Sequence, residues 1–276
     1  MSAEAAPATR PGTAWRAELD FAVATARAAG RLLMEHYERL ERIDHKSAKD
    51  VVTEADHLSE AQVIATIRRR YPADAIVAEE SGSHERMDRE GAAANGRTWV
   101  LDPLDGTVNY ANGIPFFCVS LALVADGIPV VGVVVDPSRD EVFAATADGP
   151  ATLDGAPIAA SDKARLEDFV ISMALGGRRV ATRIRAIRKR IRVARSMGSA
   201  ALALAYVANG RFDAFIQSGG LSVWDVAAAG LIAERAGARV SSIEGGAWFD
   251  ISAPTRKIGL LAAPATHDAE LLKLTS

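Results

Sequence analysis

Between Trp99 and Tyr110 the chain reads Trp-Val-Leu-Asp-Pro-Leu-Asp-Gly-Thr-Val-Asn-Tyr. An apolar run ends abruptly in two carboxylates, with Gly106 and Thr107 directly behind them. Trp99-Val100-Leu101 suits the end of a covered strand, since aromatic and β-branched side chains fit a pleated surface. Pro103 removes a backbone donor and is expected to stop the ladder. Gly106 allows a turn that larger residues resist. Asp102 and Asp105 are therefore expected together just past a strand's carboxyl end, where open α/β sheets keep ligand sites. Two adjacent carboxylates stay ionised only when a positive charge neutralises them. A hard divalent cation such as Mg²⁺ meets that need. An ordinary Asp-rich turn is the other reading of the stretch taken alone.

A chain of 276 residues that is 49% hydrophobic can bury a sizeable core. The formal net charge of −3 gives no whole-protein reason to bind nucleic acid or membrane. No apolar run is long enough to span a bilayer. Met1 to Thr13 is rich in Ala, Pro and Thr and reads as a disordered tail. The single cysteine, Cys118, sits in an apolar run and fits a reducing cytoplasm as a buried, inert thiol.

Read in order, Ala14 to Glu41 has a helical repeat, with Phe21, Ala24, Ala28 and Leu32 on the apolar face and Leu33 and Tyr37 beside them. Asp44 to Asp50 reads as a polar turn. Asp56 is placed to cap a helix running to about Arg70, with Ile64 and Ile67 inward. Ile76-Val77-Ala78 is a short strand leading into Glu79, and beside the central strand it would bring Glu79 next to Asp102 and Asp105. Arg86 to Arg97 reads as a surface connection. Cys118 to Val135 forms a hairpin around Asp126-Gly127. Glu141 to Thr146, Ala151 to Leu153 and Phe169 to Ser172 are further strands. Arg178 to Arg195 holds nine basic residues and no acid. Its stripe of Val180, Ile184, Ile187 and Ile191 predicts an amphipathic helix. Such a charge run is a solvated face or a patch for an anionic partner. Gly198 precedes a small-residue helix, Ala200 to Ala208, whose start offers free N–H groups to an anion. Arg211 to Ile216 is a strand, Gln217 to Leu221 a loop, and Trp224-Asp225 opens another helix. Lys257 to Leu261 is a last strand and His267 to Leu274 a last helix. The histidines at 36, 45, 57, 84 and 267 form no obvious ligand cluster.

Glu79 after a strand, Asp102-Pro103-Leu104-Asp105-Gly106-Thr107, and Trp224-Asp225-Val226-Ala227-Ala228 resemble the inositol monophosphatase family of magnesium-dependent, lithium-sensitive phosphatases. The signatures span Trp99 to Asn112 and Trp224 to Ala238, and the resemblance runs from the first helix to about Leu261. It implies an α+β fold, a layered α-β-α-β-α sandwich, here a tail at 1–13 and one phosphatase domain at 14–276 whose two halves meet near 150–170. It implies a homodimer acting on a small phosphorylated substrate. Glu79, Asp102 and the Leu104 carbonyl would hold one Mg²⁺; Asp102, Asp105 and Asp225 would hold a second; Glu79 would share a third. Thr107, hydrogen-bonded to Asp56, would help activate a water, with Lys46 nearby. Gly106 and Thr107 would hold phosphate, and Gly198 and Ala200 would offer N–H groups to the substrate. Two metals about 3.5–4 Å apart would stabilise both the attacking and the leaving oxygen, which leaves no task for a catalytic His.

One departure bears on specificity. Where inositol-specific relatives carry a glutamate against ring hydroxyls, this chain has Gln217-Ser218, followed by Gly219-Gly220. The resemblance therefore gives inositol monophosphate as the first expectation. Histidinol phosphate, fructose 1,6-bisphosphate and adenosine 3′,5′-bisphosphate are the alternatives. A reading from another class is an RNA- or acidic-partner-binding protein using the 178–195 face, ranked lower because the full carboxylate set is present, and able to coexist with catalysis.

Overall fold

The structure is a computed structural model that describes residues 14–37, 43–47, 50–84, 95–177, 180–254 and 257–275; at 43–47, 50–53 and 82–84 the description is of the backbone. The tail at 1–13 lies outside it. In chain order the elements are α1 (Arg16–His36), β1 (Ile43–Ser47), β2 (Asp50–Thr53), α2 (Glu54–Arg70), β3 (Ala75–Ala78), β4 (Gly82–His84), β5 (Arg97–Asp105) and α3 (Thr107–Ala111). Next come β6 (Cys118–Ala125), β7 (Ile128–Asp136), β8 (Glu141–Thr146), β9 (Thr152–Leu153), β10 (Ala156–Pro157), β11 (Val170–Ala174), α4 (Val180–Arg188) and β12 (Val193–Arg195). The chain ends with α5 (Ala200–Ala208), β13 (Ala214–Leu221), α6 (Val223–Arg235), β14 (Ala238–Ser242), β15 (Ile258–Pro264) and α7 (Asp268–Thr275).

Two sheets carry the fold, one ordered β10-β9-β8-β7-β6-β5-β3-β4 and the other β12-β11-β13-β15-β14. Alternation along the strands decides what covers each face. Val119, Leu121 and Leu123 of β6 join Ala22, Ala26, Leu33, Val63 and Ile67 of α1 and α2 in one core. Their neighbours Cys118, Ala122 and Val124 join α5 and α6 in a second core, which also takes Phe215, Leu260 and Ala262 from the smaller sheet. The other face of that sheet, with Ile171, Ile216 and Leu261, packs on Ile187 and Leu271 of α4 and α7. The layers are therefore α1/α2, large sheet, α5/α6, small sheet, α4/α7: an α+β protein in the α-β-α-β-α order. The middle helices lie between two sheets, so α5 is buried from Ala201 through Ala208 and α6 from Val226 through Ala233. A helix apolar on all sides needs such a place.

Several sequence expectations are corrected. In α1 the buried face is Ala22, Ala26, Ala29, Gly30 and Leu33; Ala24 is exposed, and Phe21, Ala28 and Leu32 are half-buried. The sheet selects the small face, because a Cβ on Gly30 would come within 3.2 Å of Val135 and Pro137. Where a polar turn was expected at Asp44 to Asp50, residues 44–47 and 50 belong to the antiparallel strands β1 and β2, and 48–49 lie outside the described residues. Of the connection expected at Arg86 to Arg97, residues 86–94 lie outside the described residues, and Arg97 is the first residue of β5, ion-paired with Asp74 and Glu18. The basic segment is helical only to Arg188, and Val193–Arg195 is an edge strand parallel to β11. Gln217 to Leu221 belongs to β13, bulged against β15. Strands β4, β10 and β14 have no counterpart in the sequence reading.

Candidate metal and phosphate site

Strand β5 runs through Pro103 to Asp105, contrary to the expectation that Pro103 would end it. Asp102 pairs with Ser120 and Asp105 with Cys118, so β5 spends one extra residue between them. That is a bulge, the place in a sheet where proline is tolerated. The bulge turns both aspartates toward the same end of the sheet. Asp102 Oδ1 accepts from the Leu104 amide at 3.0 Å. Gly106, at φ +97°, then reverses the chain into α3. Helix α3 is bolted beneath α1 by Tyr110, whose hydroxyl donates to the Leu33 carbonyl at 2.6 Å.

Parallel pairing of β3 with β5 sets Ala78 beside Leu101, so Glu79 emerges beside Asp102. The Glu79 amide donates to the Leu101 carbonyl at 3.2 Å. The fourth carboxylate comes from the start of α6. Ser222 and Asp225 form a capping box, with the Ser222 amide 2.5 Å from Asp225 Oδ2. Carboxylate oxygens of Asp102, Asp105 and Asp225 lie within 4.8 Å of one another. Burial, then Glu79, Asp105 and Asp225, push the Asp102 carboxyl well above the usual carboxylate range, and Glu79 and Asp102 share a hydrogen bond. Asp225 is raised by burial and by Asp105, against the Ser222 amide. Asp105 is also raised by burial, opposed by Ser199 and the first amides of α5. Such a set costs free energy when fully ionised and is relieved by protons or by a hard cation.

Asp56 is not the helix cap expected of it. It lies inside the first turn of α2, 1% exposed. The Thr107 hydroxyl is shared between Asp56 Oδ1 at 3.2 Å and the Leu104 carbonyl at 3.0 Å. Lys46 falls on β1, where the description is of the backbone. Gly198, Ala200, Gln217, Asp105 and Asp225 line one cavity of about 310 Å³. Gln217 donates from Nε2 to the Gly219 carbonyl at 3.1 Å, and Ser218 Oγ accepts from the Gly176 amide at 2.7 Å. Cys118 is buried 3.8 Å from Asp105 Oδ2, and burial holds its thiol well above the usual range.

Three supporting residues escaped the sequence reading. Ser199, the N-cap of α5, donates to Asp105 Oδ2 at 2.6 Å, and the Ala201 amide reaches the same oxygen at 2.6 Å. The α5 start therefore meets a side chain of the chain itself, where a substrate anion was expected. The Ser199 signal, a serine between glycine and an alanine run, was present. Asn109 Nδ2 donates to the Phe116 and Met197 carbonyls, both at 2.7 Å, and so holds the loop before Gly198. Lys257 donates to Ser222 Oγ at 2.8 Å and moderates the charge at Asp225. Ser199→Ala removes the cap and one partner of Asp105, and should lower stability by about 1 kcal/mol, read by urea denaturation.

Fold and site together define a five-layer α+β protein with carboxylates from two strand ends and one helix start clustered beside a polar cavity. The profile of the inositol monophosphatase family matches residues 15–276. This chain belongs to that family. It is 38% identical over 237 residues to a Nus factor SuhB of Pseudomonas aeruginosa, covering 82% of this chain and 86% of the relative. It is 37% identical over 228 residues to a fructose-1,6-bisphosphatase/inositol-1-monophosphatase of Thermotoga maritima, covering 82% and 85%. The crystal structure of the extragenic suppressor protein suhB from Bartonella henselae superposes with a TM-score of 0.84 at 32% identity, covering 94% of this chain and 98% of that one.

Proposed function

We propose that this protein is a Mg²⁺-dependent phosphomonoesterase acting on a small polyol phosphate, with inositol monophosphate first among the candidates. The convergence of Glu79, Asp102, Asp105 and Asp225 carries the reading. An all-oxygen donor set of acidic residues suits Mg²⁺ rather than a softer ion. Glu79, Asp102 and the Leu104 carbonyl would hold one ion, with Asp102, Asp105 and Asp225 around a second and Glu79 shared with a third. Bound Mg²⁺ supplies Lewis acidity toward a phosphoryl oxygen and an attacking water.

The chain's own groups do the positioning. With its proton directed to Asp56, Thr107 Oγ1 presents lone pairs that accept from a water and orient it. Ser199 and the Ala201 amide hold Oδ2 of Asp105, a residue that lines the cavity. Gly198 and Ala200 line the cavity and would meet the substrate, and Gly106 and Thr107, outside that lining, would hold phosphate from the end of β5. Among the described residues lining the cavity only Asp105 and Asp225 are charged, while Ser172, Ser196 and Gln217 offer neutral hydrogen-bonding groups. The lack of a lining cation among the described residues supports a neutral polyol leaving alcohol over a bisphosphate, whose second phosphate would need one. Phosphate release with Mg²⁺ from inositol 1-phosphate, histidinol phosphate, fructose 1,6-bisphosphate and adenosine 3′,5′-bisphosphate tests the order, and preference for a bisphosphate would reverse it. Gln217→Glu should shift the kcat/KM ratio toward inositol 1-phosphate over fructose 1,6-bisphosphate by about tenfold, the worth of a hydrogen bond to a charged group.

The basic segment supports a second, coexisting reading. A relative called a Nus factor makes a polyanion-binding role worth testing for Arg185, Arg188, Lys189 and Arg195. Arg190 and Arg192 pair with Glu270 and Asp168, which shrinks the patch. RNA binding that weakens with salt and survives Asp102→Asn would support it.

A further inference from the structure

Helix α2 buries three polar side chains on one face, Asp56, Ser59 and Glu60, exposed by 1%, 0% and 4%. Their spacing of i, i+3, i+4 puts them on a single turn. Asp56 and Ser59 reach the stretch from Pro103 to Thr107, and Glu60 reaches the turn after Glu79. Asp56 meets Thr107. Ser59 Oγ donates to the Pro103 carbonyl at 3.1 Å. Glu60 accepts from the Glu80 amide at Oε2, 2.9 Å, and from the Ser81 hydroxyl at Oε1.

We propose that Ser59 and Glu60 are positioning residues through which α2 sets the spacing of the carboxylates, a reading that rests on the metal site proposed above. The Pro103 carbonyl lies in the β5 bulge, between the last regular pair at Asp102 and the next at Asp105, where the ladder register is broken. Ser59 gives that carbonyl a donor and fixes the bulge that separates the two aspartates. Glu60 acts on the other strand end. The turn after β3 joins a strand of four residues to one of three, so few ladder bonds restrain it. Glu79 is held on one side by the Leu101 carbonyl. On the other, both Glu60 oxygens grip the next two residues. A buried carboxylate is an expensive way to hold a turn. Its return is a Glu79 backbone fixed relative to Asp102 before any cation arrives. Removing a hydrogen-bonding partner behind metal ligands commonly costs 10–100-fold in metal affinity.

The test is Mn²⁺ binding by isothermal titration calorimetry on the full chain without substrate, with melting temperatures alongside. Glu60→Gln should weaken Mn²⁺ binding by about tenfold or more. Ser59→Ala and Ser81→Ala, milder changes that carry the test should Glu60→Gln fail to fold, should each weaken it severalfold. Ile64→Val, on the same helix but facing only the core, should lower the melting temperature and leave Mn²⁺ affinity unchanged. Folded Glu60→Gln and Ser81→Ala proteins that bind Mn²⁺ like the wild type would overturn the proposal and leave the metal site standing. A wild type that binds no Mn²⁺ would overturn both.

Discussion

Asp102→Asn is expected to cut Mg²⁺-dependent phosphate release by about 10³-fold, the scale on which loss of a charge-stabilising group acts, and to make the metal-free protein more stable. Both effects have one cause. Asp102 is 1% exposed and faces Glu79, Asp105 and Asp225. Its pKa is raised in the fold, so between the unfolded and folded values the native state binds more protons than the unfolded one. Stability therefore falls as pH rises through that window. Asparagine has no charge to lose, so its advantage in melting temperature should be largest near pH 8 and vanish toward pH 4. Added Mg²⁺ should raise the melting temperature of the wild type and leave that of Asp102→Asn nearly unchanged. Thermal melts at the two pH values with and without Mg²⁺ read all of this. A metal-free Asp102→Asn protein that melts below the wild type at pH 8 would contradict the account of the cluster.

The second large effect lies in the core. Gly132 of β7 packs under α6, and a Cβ there would sit 2.6 Å from the Ala228 carbonyl oxygen and 3.0 Å from the Ala228 Cα. Backbone atoms cannot swing aside as a flexible side chain does. Gly132→Ala must lift α6 from the sheet, and overpacking of this kind costs about 3 kcal/mol. Helix α6 carries Asp225 in its first turn. The same variant should therefore need more Mg²⁺ for half-maximal phosphate release. Urea denaturation and a Mg²⁺ titration check the two consequences, and an unshifted urea midpoint would refute the close contact.

The strands from β6 to β9 were legible because their alternation is strong and their turns chemically marked: Asp126-Gly127 and Asp154-Gly155 both take positive φ where the hairpins reverse. The carboxylates were legible as types at strand ends. That Glu79 would fall beside Asp102 and Asp105 was legible too, but the Pro103 bulge that sets their spacing was not, because it depends on a register with β6 that local sequence does not encode. The 217–221 strand was hidden for the same reason, since glycines read as a loop until β15 pairs with them. The face of α1 was misjudged because hydrophobicity favoured Phe21 and Leu32, while close approach to β7 selects Ala and Gly. Ser59 and Glu60 look like solvated helix residues in sequence, and their partners lie 44, 20 and 21 positions away.

The most direct measurement is phosphate release from inositol 1-phosphate by the purified chain, first with EDTA and then as Mg²⁺ is restored. No release is expected in EDTA, and saturable release is expected on adding Mg²⁺, lost in Asp102→Asn. A folded, Mg²⁺-saturated protein that releases phosphate from none of the four esters, or one that releases it equally in EDTA, would contradict the proposed phosphatase.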